Sequence, residues 1–120
     1  MTDERALDDL RSSVRAFLAS RDFTPAVDSL HAGWDEDFTR ALAGRGWVGM
    51  TIPEEYGGAG RTFMERFVVT EELLAAGAPV AAHWIADRQT APSLLAYGTE
   101  EQKREFLPAI ARGECYFGIG

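Results

Sequence analysis

Two charged side chains stand where their helices should be apolar. On a helical wheel of about 100° per residue, Glu71 falls between Phe67 and Met64, and Arg88 falls between Trp84 and Ile85. A solvated charge has no place in an apolar arc, so each needs a partner or a task. The two helices follow one another across Gly77-Ala78-Pro79, and helices joined by so short a turn pack side by side. One expectation is therefore a buried Glu71–Arg88 ion pair. The other turns Arg88 toward a cavity or a partner, with Glu71 bonded to backbone or another basic residue. Other chemistry is sparse. His31, His83 and Cys115 lie far apart in a chain without HExxH or CxxC, so no metal site is expected. His83 is expected on the polar side of its helix near Asp87, at the surface or an interface. There is no Gly-x-Ser-x-Gly elbow, Glu54-Glu55 reads as a solvated loop pair, and no residue is assigned a catalytic role.

The elements that carry these side chains follow from pattern and punctuation. Thr62-Phe63-Met64-Glu65 is a capping box. Behind it Phe63, Met64, Phe67, Val68, Leu74 and Ala75 form one broad face, and Val69, Leu73 and Ala76 a second patch, predicting a central helix packed by several neighbours. Gly77 is a natural stop and Pro79 a natural start for the next helix, to about Gln89. Upstream, residues 3–20 form an amphipathic helix on Leu7, Leu10, Val14, Phe17 and Leu18. A short helix is expected after Pro25, on Val27 and Leu30. Another begins at Asp35, Glu36 and Asp37, carries Phe38, Ala41 and Leu42 inside, and ends at Gly44 and Gly46.

Trp47–Ile52 reads as an extended segment crossing the core. The glycines at 57, 58 and 60 fit neither GxGxxG nor GxxxxGK[ST], so they predict a tight loop and not a phosphate cradle. Thr90-Ala91-Pro92 opens a separate short helical piece that Gly98 stops. Thr99-Glu100-Glu101-Gln102 is a second capping box, leading a helix with Phe106, Leu107 and Ile110 inside and a break or kink at Pro108. Cys115–Gly120 is aromatic and apolar and reads as a strand with no sheet to join, leaving Tyr116, Phe117 and Ile119 exposed. The fold class is all-α: an up-and-down bundle of about five or six helices over residues 1–114, with residues 115–120 as the first strand of a β-domain that belongs to something longer.

Composition narrows the partners. A net charge of −7 and a pI of about 4.7, with the basic residues scattered, argue against a nucleic-acid binder. Cys115 is the single cysteine, so an internal disulfide is excluded and a reducing compartment is natural. No apolar run approaches the roughly 20 residues of a membrane span, and Met1–Arg11 is charged where a leader would be apolar. The cytoplasm is the default location.

Four segments, in order, then resemble one family. Gly46-Trp47-Val48-Gly49-Met50-Thr51-Ile52-Pro53-Glu54-Glu55-Tyr56-Gly57-Gly58 is similar to the "G-hydrophobic-P-x-x-Y-G-G" segment of acyl-CoA dehydrogenases. Val69-Thr70-Glu71-Glu72-Leu73 resembles their central-helix "EEL". Tyr97-Gly98-Thr99-Glu100-Glu101-Gln102-Lys103 resembles "YGTEEQK", and Phe106-Leu107-Pro108 with Gly113-Glu114 resembles the "LP…GE" that follows. Together they cover roughly residues 35–120, and are most similar to actinobacterial-type members acting on large or branched acyl groups. The resemblance implies the N-terminal helical domain of a flavin-dependent enzyme that oxidises an acyl-CoA to a 2-enoyl-CoA, in fatty acid or sterol side-chain oxidation. Its cofactor would be flavin adenine dinucleotide (FAD), and its acceptor an electron-transfer flavoprotein or similar. A homo- or hetero-oligomer is implied for the full-length protein. By the same resemblance Ile119 and Gly120 would contact the flavin, and Trp84, Ile85, Arg88 and Gln89 would line the acyl cavity. The catalytic glutamate lies in a later domain of the family, so the 120 residues alone are expected to be inactive. The alternative is a non-catalytic helical subunit or fragment that binds a partner protein.

Overall fold

The computed structural model describes residues 3–28 and 33–118. Helix α1 (Glu4–Ser20) starts where the Asp3 carboxylate accepts the Arg5 N–H at 3.2 Å, and buries Leu10, Val14 and Phe17. Helix α2 (Glu36–Gly44) is capped by Asp35, which accepts the Phe38 N–H at 3.0 Å. Helix α3 (Phe63–Ala75) carries the full capping box. The Thr62 hydroxyl accepts from the Glu65 N–H at 3.1 Å, and the Glu65 carboxylate accepts from the Thr62 N–H at 3.0 Å. Helix α4 (Ala81–Ile85) passes through a π turn (Ala86–Thr90) into α5 (Ala91–Tyr97). Helix α6 (Glu100–Ala111) opens on the second capping box.

Two apolar clusters hold these helices. The first joins Leu10, Val14 and Phe17 of α1 to Phe38 and Leu42 of α2, and to Val68, Val69 and Leu73 of α3. The second joins Ile52, Tyr56, Ala86 and Ala91 to Leu107, Ile110 and Ala111 of α6. Residues 47–52 link them: Trp47, Val48 and Met50 lie in the first cluster, Ile52 in the second. This segment does cross the core, but as turns and bends, not extended. Gly49 sits at φ +68°, and the Ile52 N–H returns to its carbonyl at 3.2 Å. The buried backbone is satisfied by this turn, by the Asp87 carboxylate and by the N–H groups of Ala59, Gly60 and Arg61, which bond the carbonyls of Gly49, Ile52 and Met50.

Helix α3 is covered on one side only. Val68, Val69, Glu72 and Leu73 are buried, while Phe63, Met64 and Phe67 are 71%, 54% and 56% exposed. The broad face expected on Phe63, Met64 and Phe67 is thus corrected: the central helix packs through Val68, Val69 and Leu73 instead. Among the described residues nothing covers the Phe63, Met64 and Phe67 side of α3. Against its covered face lies α1, fastened by charge. Arg15 Nε donates to Glu72 Oε1 at 2.8 Å, and Arg11 donates to both Glu72 and Glu71. The Arg15 hydrogen bond, ahead of the one from Arg11, holds the Glu72 carboxyl below the usual carboxylate range. A carboxyl depressed on folding stabilises the fold above its unfolded pKa, and that contribution is lost as pH falls through the folded one. Glu72→Gln should cost about 1 kcal/mol at neutral pH, read from the urea midpoint, and the deficit should begin to shrink near the ordinary carboxylate pKa of about 4 and disappear only below the depressed folded pKa.

Other local expectations shift. No helix forms over residues 21–28 after Pro25, where the Ala26 N–H instead bonds the Gly77 carbonyl at 3.1 Å; Leu30 lies outside the described residues. The helix expected to end near Gln89 runs on through Pro92 to Tyr97. Its π turn closes through an Ala91 N–H to Ala86 carbonyl bond, relaxing the ladder one turn ahead of the proline ring. Helix α6 runs unbroken past Pro108, held by buried Leu107, Ile110 and Ala111 on either side. Residues 115–118 form no strand pairing. Tyr116 and Phe117 fold back half-buried rather than exposed, Tyr116 edge-on to Trp34 and Phe117 edge-on to Phe106 at centroid distances of 5.5 and 5.8 Å. Ile119 lies outside the described residues.

Candidate functional site

The junction of α4, the π turn and α3 gathers the polar side chains that the packing cannot ignore. Trp84 and Arg88 sit one turn apart on one face, His83 and Asp87 on the next. The His83–Asp87 face points inward: His83 is 4% exposed and Asp87 3%. His83 Nδ1 and the Thr39 hydroxyl share a hydrogen bond at 2.9 Å, which ties α4 to α2. Burial, with a smaller push from Arg88, lowers the imidazole to a pKa of about 4, so it is neutral at physiological pH. Asp87 accepts the Gly49 N–H at 3.1 Å, and burial pushes its carboxyl above the usual range. His83 thus holds α2 against the helix, and Asp87 holds the turn at 47–52 against it. The reading of His83 as a surface residue is corrected: the polar arc faces α2 and the buried turn, not water.

Arg88 is half-buried. Its guanidinium lies over the Trp84 ring, 4.3 Å from the centroid, and donates from Nη2 to the Thr70 hydroxyl of α3. Thr70 in turn donates to the Arg66 carbonyl at 2.7 Å. The Nε–H of Arg88 is buried and bonds to no described group. Burial lowers the guanidinium pKa from the ordinary arginine value, Asp87 opposes this and Arg66 adds to it; arginine stays charged regardless. The expected Glu71–Arg88 ion pair is absent. Glu71 is exposed and bonded by Arg11 of α1 at 2.6 Å, whereas Arg88 meets α3 at Thr70. The sequence did not single out Thr39, Thr70, Glu72 or Asp87; only Asp87 left a signal, its i, i+4 spacing from His83.

Of the residues expected to line a cavity, Trp84, Ile85 and Arg88 are half-buried and Gln89 is exposed. They share one short stretch of helix, with Arg88 reaching α3 one turn beyond Arg66. Ile119 and Gly120 lie outside the described residues. Among the described residues no group of three His, Cys, Asp or Glu side chains converges as metal ligands would, and no helix is long and apolar enough to cross a membrane. The glycine loop is a packing element. A side chain at Gly58 would run into Ile52, and one at Gly57 would meet Pro108, so its amides face this chain's own core.

The comparisons with known proteins point one way. A family model described as "Acyl-CoA dehydrogenase, N-terminal domain" matches residues 4–114. The acyl-CoA dehydrogenase FadE26 of Mycobacterium tuberculosis is 48% identical over 83 residues, covering 68% of this chain and 20% of that protein. The solved ChsE4-ChsE5 complex from Mycobacterium tuberculosis superposes with a TM-score of 0.77 at 33% identity, over 97% of this chain and 30% of that one. The Tcur3481-Tcur3483 steroid ACAD gives a TM-score of 0.76 at 33% identity, over 96% of this chain and 31% of that one. The chain thus spans between a fifth and a third of the length of these relatives.

Proposed function

The chain belongs to the acyl-CoA dehydrogenase family as its N-terminal domain, and we propose that it walls the acyl cavity of a flavin-dependent dehydrogenase that converts an acyl-CoA to a 2-enoyl-CoA. The observation that carries this is the Trp84–Arg88 stack on the π turn. π turns re-aim side chains and recur at functional sites, and this one sets a large ring and a guanidinium on one side of a helix whose other side is locked by His83 and Asp87. FAD would accept the hydride when bound. The described residues hold no phosphate cradle for it, and Ile119 and Gly120 are its proposed contacts here. This chain's own contribution is to bind and orient. Trp84 and Ile85 would pack along the acyl chain and exclude water from it, which strengthens electrostatic interactions at the reacting carbon. The steroid ACAD among the structural relatives supports a large acyl group. An electron-transfer flavoprotein or similar acceptor and a cytoplasmic location complete the proposal. The 120 residues by themselves are proposed to give no turnover.

A second reading, a helical subunit that binds a partner and no flavin, draws on one observation. Phe63, Met64 and Phe67 form an exposed face, and one structural relative is the ChsE4-ChsE5 complex; oligomer assembly is part of both readings. The test is the full-length gene product. Flavin absorbance that is bleached by an acyl-CoA, with Trp84→Ala raising KM for long acyl chains roughly tenfold, supports the first reading. A colourless, inert protein that co-purifies with a second polypeptide supports the other.

A further inference from the structure

We infer that Arg88 selects acyl groups that carry a carboxylate on the part of the chain remote from the thioester. This rests on the cavity-wall reading above and deepens it. The argument starts from the guanidinium itself. Arg88 is held flat on Trp84 and tethered at Nη2 by Thr70, while its Nε–H is buried without an acceptor. A buried donor left unbonded is costly, and the Nε edge of a fixed, planar guanidinium is the one that takes both oxygens of a carboxylate.

The charges lead to the same ligand. Among the described residues neither Arg88 nor Arg66 has a carboxylate within ion-pair distance, although Arg11, Arg15, Arg40, Arg61, Arg104 and Arg112 all do. Arg66 instead lies over the Phe63 ring, 5.0 Å from its centroid. The neighbouring acid, Asp87, is turned inward to the Gly49 N–H, and burial disfavours its charged form. Two cations, Arg88 over Trp84 and Arg66 over Phe63, therefore stand near enough to repel. A purely apolar acyl chain would desolvate them with no compensation. A neutral carbonyl would fill one donor and leave the charge. A carboxylate satisfies both the free donor and the charge.

The experiment uses the full-length gene product and two CoA thioesters of matched length, one ending in methyl and one in carboxylate, over a graded series of chain lengths. Affinities are read by calorimetric titration, which does not depend on turnover. The carboxylate-ended thioester is expected to bind roughly ten- to a hundredfold tighter. Arg88→Met should erase that ratio, and Arg88→Lys, which keeps the charge but loses the fork, should retain part of it. A role in folding alone would lower the melting temperature and leave the ratio intact. Equal binding of the two thioesters by the unaltered protein overturns the inference while leaving the cavity wall standing; that is also the result if a carboxylate from elsewhere in the assembly already occupies Arg88. Failure of both thioesters to bind overturns the cavity-wall reading and the inference with it.

Discussion

Replacing Gly58 with alanine should destabilise the chain by about 3 kcal/mol, a large share of a typical domain's stability of about 5–15 kcal/mol. A Cβ built at this position would lie 2.1 Å from the Ile52 carbonyl oxygen and 2.4 Å from its Cβ. Nothing flexible can give way. Ile52 is 1% exposed in the second core cluster, and its carbonyl already accepts the Gly60 N–H at 2.9 Å. Either the loop opens or the core shifts. The measurement is urea unfolding beside Gly44→Ala, where a new methyl meets nothing within 4 Å at the end of α2. That control should be neutral or stabilising by up to about 1 kcal/mol. Equal behaviour of the two variants would show that the Ile52 contact does not hold the loop.

The second large effect is on pH dependence. His83 is charged in the unfolded chain below its ordinary pKa of 6.5, yet stays neutral in the fold until about pH 4. Between those values the unfolded state binds the extra proton, so stability falls as pH falls. The full span corresponds to about 3 kcal/mol. Asp87 works in the opposite direction, because its folded pKa is raised and protonation relieves its burial. The neighbouring Arg88 does not titrate here. The imidazole is isolated by comparison with His83→Gln, which keeps a hydrogen-bonding side chain toward Thr39. Relative to that variant, the unaltered protein should lose about 3 kcal/mol between pH 6.5 and 4 in denaturant titrations. Parallel pH profiles for the two would mean that His83 is hydrated.

What could be foreseen in the sequence was local. Both capping boxes, the helix start at the acidic run 35–37 and the α1 stripe form as written, because each depends on side chains within one turn of each other. Errors arose wherever a neighbour decided. Glu71 and Glu72 are adjacent and chemically identical, and only the position of α1 makes Glu72 the buried member. His83 was placed in water because its wheel shows a polar arc; that arc is occupied by Thr39 and the turn at Gly49, which lie far upstream. The Arg88 anomaly was visible, but its partner was not. The expected match was charge to charge, whereas the packing supplied a ring and a hydroxyl.

The π turn also bears on how relatives should be compared. Such a turn holds one residue more than the α-helical turn it replaces, and one residue corresponds to about 100° of rotation about the axis. Deleting a residue between Ala86 and Thr90 could restore a regular ladder, but it would swing the following face away from α6 or turn the Trp84–Arg88 face off α3. On the proposed cavity-wall role of the Trp84–Arg88 face, a one-residue deletion here would change acyl preference as a substitution would. Alignments that close the gap here will pair residues that face different directions.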